Sequence, residues 1–281
     1  MSLVATYLGF HLLFVVPPVL LLAAATALRP NAVRGRLPAL GVAVVLGLAV
    51  AYTTPWDNLL IEAGVWRYGD GVTSWHLWAA PAGEYLFFLM QPLLVALWLY
   101  NLDVPTHGDL RVGVWPRVAG VVAGLAVSAT GGWLLVAGPS TLYAGAILAW
   151  AGPILGIQWA FGWPHLLRAR RAVAAGVGVP TLYLWVLDRF AIDTGLWIIS
   201  EAYTTGIAPF GLPIEEALFF FVTNVFVVQG LVLYLWLLEQ WPTVAADVRA
   251  ALPAAVASLV SESDPVSAPG RGGEGVGQER P

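Results

Sequence analysis

The chain has 281 residues, 59% of them hydrophobic and only 11% charged, with a mean hydropathy of +0.77. A soluble domain carries about 25% charged residues, so this surface cannot be clothed for water and lipid is the expected solvent. The net charge of −4 argues against nucleic acid as a partner; the lack of cysteine excludes disulfides and thiolate chemistry; and with all 13 basic residues arginine, Schiff-base lysine chemistry is excluded.

Seven apolar runs approach the roughly 20 residues that a spanning helix needs. They are expected at 6–28, 38–55, 79–100, 114–136, 141–163, 173–191 and 212–238. The first run, Tyr7 to Leu28, is too long for a signal-peptide core and lacks a basic leader and a cleavage site, so it reads as a retained helix. Pro17, Pro18, Pro153 and Pro180 lie inside runs and predict kinks. Gly138, Pro139 and Ser140 predict a tight turn between helices four and five.

Arginines set the orientation. Arg29, Arg34 and Arg36 follow helix one, Arg111 and Arg117 follow helix three, and Arg168, Arg170 and Arg171 follow helix five. The positive-inside rule makes these loops cytoplasmic, with the N-terminus outside, the C-terminus inside and the location the cell membrane. The loops after helices two and six then face out, carrying Trp56, Trp66, Trp75, Trp78 and Trp197 to the interface. The polar tail from Thr243, rich in Gly, Pro, Ser and Glu from Ser261 to Pro281, reads as disordered.

An internal repeat organises the chain. Asp57, Glu62, Gly64 and Trp66 recur as Asp188, Asp193, Gly195 and Trp197, an offset of 131. Pro81, Glu84, Leu86, Phe87 and Phe88 recur as Pro213, Glu216, Leu218, Phe219 and Phe220, an offset of 132. Each copy, with the helix before it, has an odd number of spans. Two such units share an orientation only if an extra helix carries the chain back across. The expectation is therefore an all-α integral membrane fold with two parallel three-helix repeats, residues 1–100 and 141–242. Residues 101–140 form a linker holding helix four, and 243–281 a cytoplasmic tail. A site at the interface between the repeats follows.

Acids decide the chemistry. Glu62, Asp70, Asp193 and Glu201 fit helix ends in water as well as any other place. Glu84, Glu215 and Glu216 stand just inside apolar Phe and Leu runs, where a carboxyl is expensive and by default functional. Asp57 and Asp188 are intermediate, and Arg189 offers Asp188 a plain ion pair. His11, His76, His107 and His165 form no spaced pair and fit structural or interfacial roles better than metal ligation. No metal site, phosphate loop or dinucleotide fingerprint is legible, and no cofactor is implied. Carboxyls, aromatic rings and an oily cavity suit proton chemistry on an apolar molecule. A buried carboxyl can hold and donate a proton, a second can accept one, and ring faces can stabilise a cation between the steps. A polyene dissolved in the bilayer is the natural substrate.

The blocks Pro55, Trp56, Asp57, Asn58 with Gly64 and Trp66, and Pro213, Glu215, Glu216 with Phe219 and Phe220, resemble the integral-membrane lycopene cyclase family in its fused form. The resemblance covers nearly everything except the tail. It implies cyclisation of lycopene to γ- and then β-carotene without net redox change, although members of the family also cyclise C50 carotenoids or make ε-rings. The family's proline-and-two-acids motif is complete at Pro213, Glu215 and Glu216, whereas Gly83 replaces the first acid before Glu84. On this reading Glu84 and Glu216 are the acid–base pair, with Glu215, Asp57 and Asp188 supporting. Trp66 and Trp197 shield the cation, and Phe87, Phe88, Phe219 and Phe220 bind substrate. The implied partners are lycopene and γ-carotene within the bilayer, membrane lipid, and other membrane enzymes of the carotenoid pathway.

Three rival readings compete with this one. A retinal photoreceptor needs a lysine, which is absent. A membrane prenyltransferase would use Asp57/Glu62 and Asp188/Asp193 for a metal-bound diphosphate, with only Arg67 and Arg189 nearby as cations. A proton-coupled transporter could use the same acids and would change no product.

Overall fold

The computed structural model describes residues 6–108 and 112–251. Two compact units divide the chain, Met1–Glu239 and Gln240–Pro281, and the described residues of the second are helical. Arg111 and the tail segment Ser261 to Pro281 lie outside the described residues. Seven helices are long and apolar enough to cross a bilayer. They are α1 (Tyr7–Leu28), α2 (Arg36–Glu62), α3 (Ala82–Tyr100), α4 (Val114–Ala137), α5 (Leu142–Arg168), α6 (Arg170–Asp193) and α7 (Ile214–Ala251). Leu40, Val44 and Leu48 of α2 and Val121, Val122 and Leu125 of α4 are exposed. Such apolar faces are stable in hydrocarbon, and the chain is a multi-pass membrane protein.

The prolines act differently from expectation. α2 runs through Pro55 and ends at Glu62, past the limit of 55 read from the sequence. A membrane helix tolerates the lost N–H because neighbouring groups satisfy the freed backbone. Asp57 and Asn58 are therefore buried helical residues rather than loop residues. In α1 the helix widens to a π-turn over His11–Val15, just before Pro17 and Pro18. The Phe14 carbonyl, which Pro18 cannot serve, accepts the Tyr183 hydroxyl at 2.6 Å. The helical assignment continues through Pro153 and Pro180, and the break in α5 falls at Gly162 (φ −168°, ψ 39°), two residues before Pro164. A proline ring clashes with the preceding turn, and Gly162 absorbs the change.

The repeated glycine has a plain backbone role. Gly64 (φ 75°) and Gly195 (φ 68°) are left-handed residues just past the ends of α2 and α6. Val65 N–H then donates to the Leu60 carbonyl (3.0 Å) and Leu196 N–H to that of Ala191 (2.9 Å), closing each helix end. The repeated tryptophan follows at once and opens a strand. β1 (Trp66–Tyr68) and β4 (Trp197–Ile199) pair antiparallel, Trp66 opposite Ile199, Arg67 opposite Ile198 and Tyr68 opposite Trp197. Between them in sequence, β2 (His76–Leu77) and β3 (Ala80–Pro81) form a second small ribbon. The β1–β4 ribbon puts the two tryptophan-bearing loops on one side of the helical bundle. It also maps onto itself under the repeat, because Trp66 corresponds to Trp197 and Tyr68 to Ile199.

α4 packs on α5 through glycine. A Cβ at Gly120, Gly124 or Gly131 of α4 would meet α5 backbone, and one at Gly145 or Gly152 of α5 would meet α4 backbone. In lipid, such close backbone approach replaces the hydrophobic effect as the cause of helix association.

Candidate active site

α2 and α6 each carry an aspartate inward near one end, and α3 and α7 each begin with a glutamate in the first turn. The β1–β4 ribbon draws these four helix ends together. Asp57, Glu84, Asp188 and Glu216 all line one cavity. Trp66, Trp197, Phe87, Phe88, Phe219 and Phe220 line it too, and among the described residues no basic side chain does. Asp57, Asp188 and Glu216 are 3%, 1% and 6% exposed, so their carboxyls lie outside bulk solvent.

The hydrogen bonds differ between the two sides. The Tyr68 hydroxyl donates to Glu84 Oε1 at 2.6 Å and accepts from the Trp66 indole at 3.3 Å. The Trp197 indole donates directly to Asp188 Oδ1 at 2.8 Å. Asp57 Oδ2 and Asp188 Oδ2 are buried without a hydrogen-bond partner. Burial first, and the neighbouring Glu84 charge next, push the Tyr68 hydroxyl pKa up, so this phenol acts as a donor throughout the working pH range.

A 50% identity over 240 residues links the chain to a lycopene beta-cyclase of Halobacterium salinarum, covering 84% of this chain and 98% of that protein. The chain belongs to the lycopene beta-cyclase family. Bifunctional lycopene cyclase/phytoene synthases also match, that of Gibberella fujikuroi at 33% over 232 residues and that of Pyrenophora tritici-repentis at 35% over 237. Each match covers 80% of this chain, with 39% of the first fungal protein and 40% of the second. No family model matches the sequence, and no solved structure does.

In this member of the lycopene beta-cyclase family, ten of the eleven residues singled out from sequence meet in the cavity, and Glu215 does not. Glu215 is fully buried, and its Oε1 accepts from the backbone N–H and hydroxyl of Thr205, both at 2.8 Å. It clamps the segment that leads into α7. The ion pair open to Asp188 does not form: Arg189 pairs with Asp193 and donates to the Phe210 carbonyl at 2.8 Å. Glu62 and Asp193 are exposed, apart from the buried Asp57 and Asp188, so the two acid pairs of a diphosphate site do not assemble.

Three tyrosines, Tyr7, Tyr143 and Tyr68, are absent from the site read from the sequence, and Trp56, placed there at the interface, belongs to the chamber wall. Tyr7 and Tyr143 line the cavity from the starts of α1 and α5, and their hydroxyls reach Glu84 and Glu216 respectively. Each opens a Tyr-x-Gly triplet, Tyr7 to Gly9 and Tyr143 to Gly145, a faint third block of the repeat at an offset of 136. Trp56 stacks on both Trp150 (centroids 4.8 Å apart) and Phe219 (5.6 Å), which also stack on each other (6.3 Å), forming one aromatic wall. Tyr68 had no repeat partner to mark it, because Ile199 stands in the equivalent place.

Proposed function

We infer that the protein is a carotenoid cyclase that closes the open ends of lycopene to β-rings, giving γ-carotene and then β-carotene. The observation that carries this reading is the convergence of four carboxyls in one aromatic chamber without a balancing cation. Four carboxylates cannot all be charged there, so protonated and charged forms coexist. Family membership supplies the substrate class.

Glu216 serves as the acid and Glu84 as the base. Glu84 accepts the Tyr68 hydroxyl at 2.6 Å, a bond that orients its carboxyl in the chamber. A proton passes from Glu216 to the terminal double bond of the polyene. The resulting tertiary cation is attacked by the neighbouring double bond, which forms the ring bond and moves the charge into the ring. Glu84 removes a ring proton and leaves the ring double bond. One proton enters and one leaves, so no redox partner is required. The faces of Trp66, Trp197 and Trp56 and the Asp57 and Asp188 carboxyls stabilise the cation.

Extraction of pigments from a lycopene-accumulating host expressing this chain tests the activity, with β-carotene the expected product. Unchanged lycopene would overturn it. The base assignment has its own test. Tyr68→Phe should slow ring formation about 10- to 100-fold, the worth of one charge-assisted hydrogen bond, and should shift the pH dependence of the rate. A wild-type rate and pH profile would remove Tyr68 and its bond from the mechanism.

Two parallel three-helix modules, residues 1–100 and 141–242, joined through α4, account for the self-matching ribbon register. They also account for a matched pair of bonds. The Tyr52 hydroxyl donates to the Trp150 carbonyl (2.8 Å) as that of Tyr183 donates to Phe14. Both offsets are those of the repeat, 131 for the tyrosines and 136 for the acceptors. The arginine loops support an N-terminus outside, a C-terminus in the cytoplasm and a place in the cell membrane. Lycopene, γ-carotene and lipid then meet it within the bilayer, where other membrane enzymes of carotenoid synthesis would be its neighbours. Because the chain lacks cysteine, single-cysteine labelling is direct. Asp70→Cys and Glu201→Cys should react with an impermeant maleimide on intact cells, and Arg170→Cys should not. Labelling of Asp70→Cys and Glu201→Cys from opposite sides would rule out the parallel arrangement.

A further inference from the structure

A second cavity adjoins the acid chamber and shares three of its walls, Phe87, Phe88 and Phe219. It is bounded by α2, α3, α5 and α7, and among the described residues no charged side chain lines it. Near the chamber the seam between α2 and α5 is stitched by hydrogen bonds, among them one from the Trp150 indole to the Tyr52 carbonyl at 3.4 Å. Tyr52 donates to the Trp150 carbonyl, and the Trp56 indole to that of Ala146 at 3.2 Å. One turn further along each helix the seam gives way to the cavity, with Leu48 on one side and Ile154 on the other. Leu48 is 61% exposed, which puts the mouth on the lipid-facing side of α2. From Asp57 back to Val45 the path runs along α2 for about 18 Å.

The repeat predicts a twin of this cavity between α6, α1 and α3, and a groove lies there. Its walls include Val179, Tyr183, Pro18, Leu94 and Trp98. At the repeat offsets these correspond to Leu48, Tyr52, Ile154, Phe226 and Gly230 of the first cavity. The twin is not open in the same way. Trp98 stands where the first cavity has Gly230, its indole held by a 2.9 Å bond to the Ala175 carbonyl. The groove shares no wall with the acid chamber. Phe10, Phe14, Met90 and Leu187 pack as a cluster in this half.

We propose that the α2–α5 cavity is the single lateral portal through which a linear polyene threads one end into the acid chamber while the rest of the molecule stays in the portal and the bilayer. The proposal rests on the cyclase reading. An uncharged, aromatic, elongated channel open to lipid fits a conjugated hydrocarbon chain, and Gly230 keeps it clear: a Cβ there already comes within 3.3 Å of Gln158 Nε2. With one portal, a molecule cyclised at one end must leave and return by the other end, so the singly cyclised product is a free solute of the membrane.

The test fills each cavity in turn. Gly230→Trp, copying Trp98, and Ala49→Trp, from the opposite wall, should each cut the rate of lycopene cyclisation in liposomes at least about tenfold, as substrate misplacement does. Val179→Trp in the twin groove should leave the rate unchanged. Two separate plugs guard against one variant misfolding, and each is assayed after size-exclusion in detergent. The proposal is overturned if both plugged proteins, folded and monodisperse, turn over at the wild-type rate, as they would if the cavity held only a lipid acyl chain. It is equally overturned if Val179→Trp loses as much as Gly230→Trp. A wild-type protein that forms no rings would instead refute the cyclase reading itself.

Discussion

Glu216→Gln is expected to lower ring formation by about 10²- to 10⁴-fold, the usual worth of a positioned acid or base, with Glu84→Gln falling in the same range. Glutamine keeps the shape and hydrogen-bonding ability of the side chain but has no proton to exchange with a double bond. Both carboxyls line the chamber, and the Tyr68 bond to Glu84 can survive because the amide oxygen still accepts. Glu215→Gln is the informative comparison. Glu215 belongs to the same acid motif but serves Thr205 rather than the cavity. Its replacement should lower thermal stability in detergent and leave most of the rate per folded molecule. The measurement is the initial rate of pigment conversion in liposomes, normalised to folded protein. Wild-type turnover by Glu216→Gln would end the acid–base mechanism, and equal losses in all three variants would contradict the distinct place of Glu215.

Gly83→Ala is expected to be nearly as damaging, although it adds one methyl group. Gly83 stands where the second repeat has Glu215, and a Cβ there would run into the Tyr7 ring. That ring has nowhere to go. It stacks on Tyr68 (centroids 6.0 Å apart) and packs against Trp197 (5.3 Å) and His11 (4.7 Å), and it is only 4% exposed. Displacing it removes a hydroxyl from Glu84 and tilts the wall formed with Trp197. A shift of this kind should cost about 10²-fold in rate, with overpacking lowering stability by about 1–3 kcal/mol. Tyr7→Ala on the same background should restore stability without restoring the rate, since the room returns but the hydroxyl does not. If Gly83→Ala alone is fully active, Tyr7 does not position Glu84.

How far the site was readable depends on the kind of signal. Acids in apolar runs were visible because a carboxyl in hydrocarbon is costly enough to stand out in a single chain. Their repetition at two nearly equal offsets named ten residues of one cavity. The helix end at Pro55 was misjudged because proline ends helices in water, whereas a membrane bundle carries α2 through it. Tyr7 and Tyr143 were missed because a Tyr-x-Gly triplet is too short to notice until both residues are seen facing equivalent glutamates. Glu215 was grouped with Glu216 because they are adjacent, but successive residues on a helix point about 100° apart. One faces the chamber and the other faces the loop.

The amino-acid sequence by itself determined the solvent, the number of spans and the internal repeat, because each depends on local composition: a bilayer demands long apolar helices, and duplication leaves matching residues at constant spacing. Tertiary structure alone decided which carboxyls share a chamber, which tyrosines serve them, and which of two related grooves adjoins that chamber. Those outcomes depend on where side chains from different helices meet. Trp98 in one half stands where Gly230 stands in the other, and that difference sets the two grooves apart.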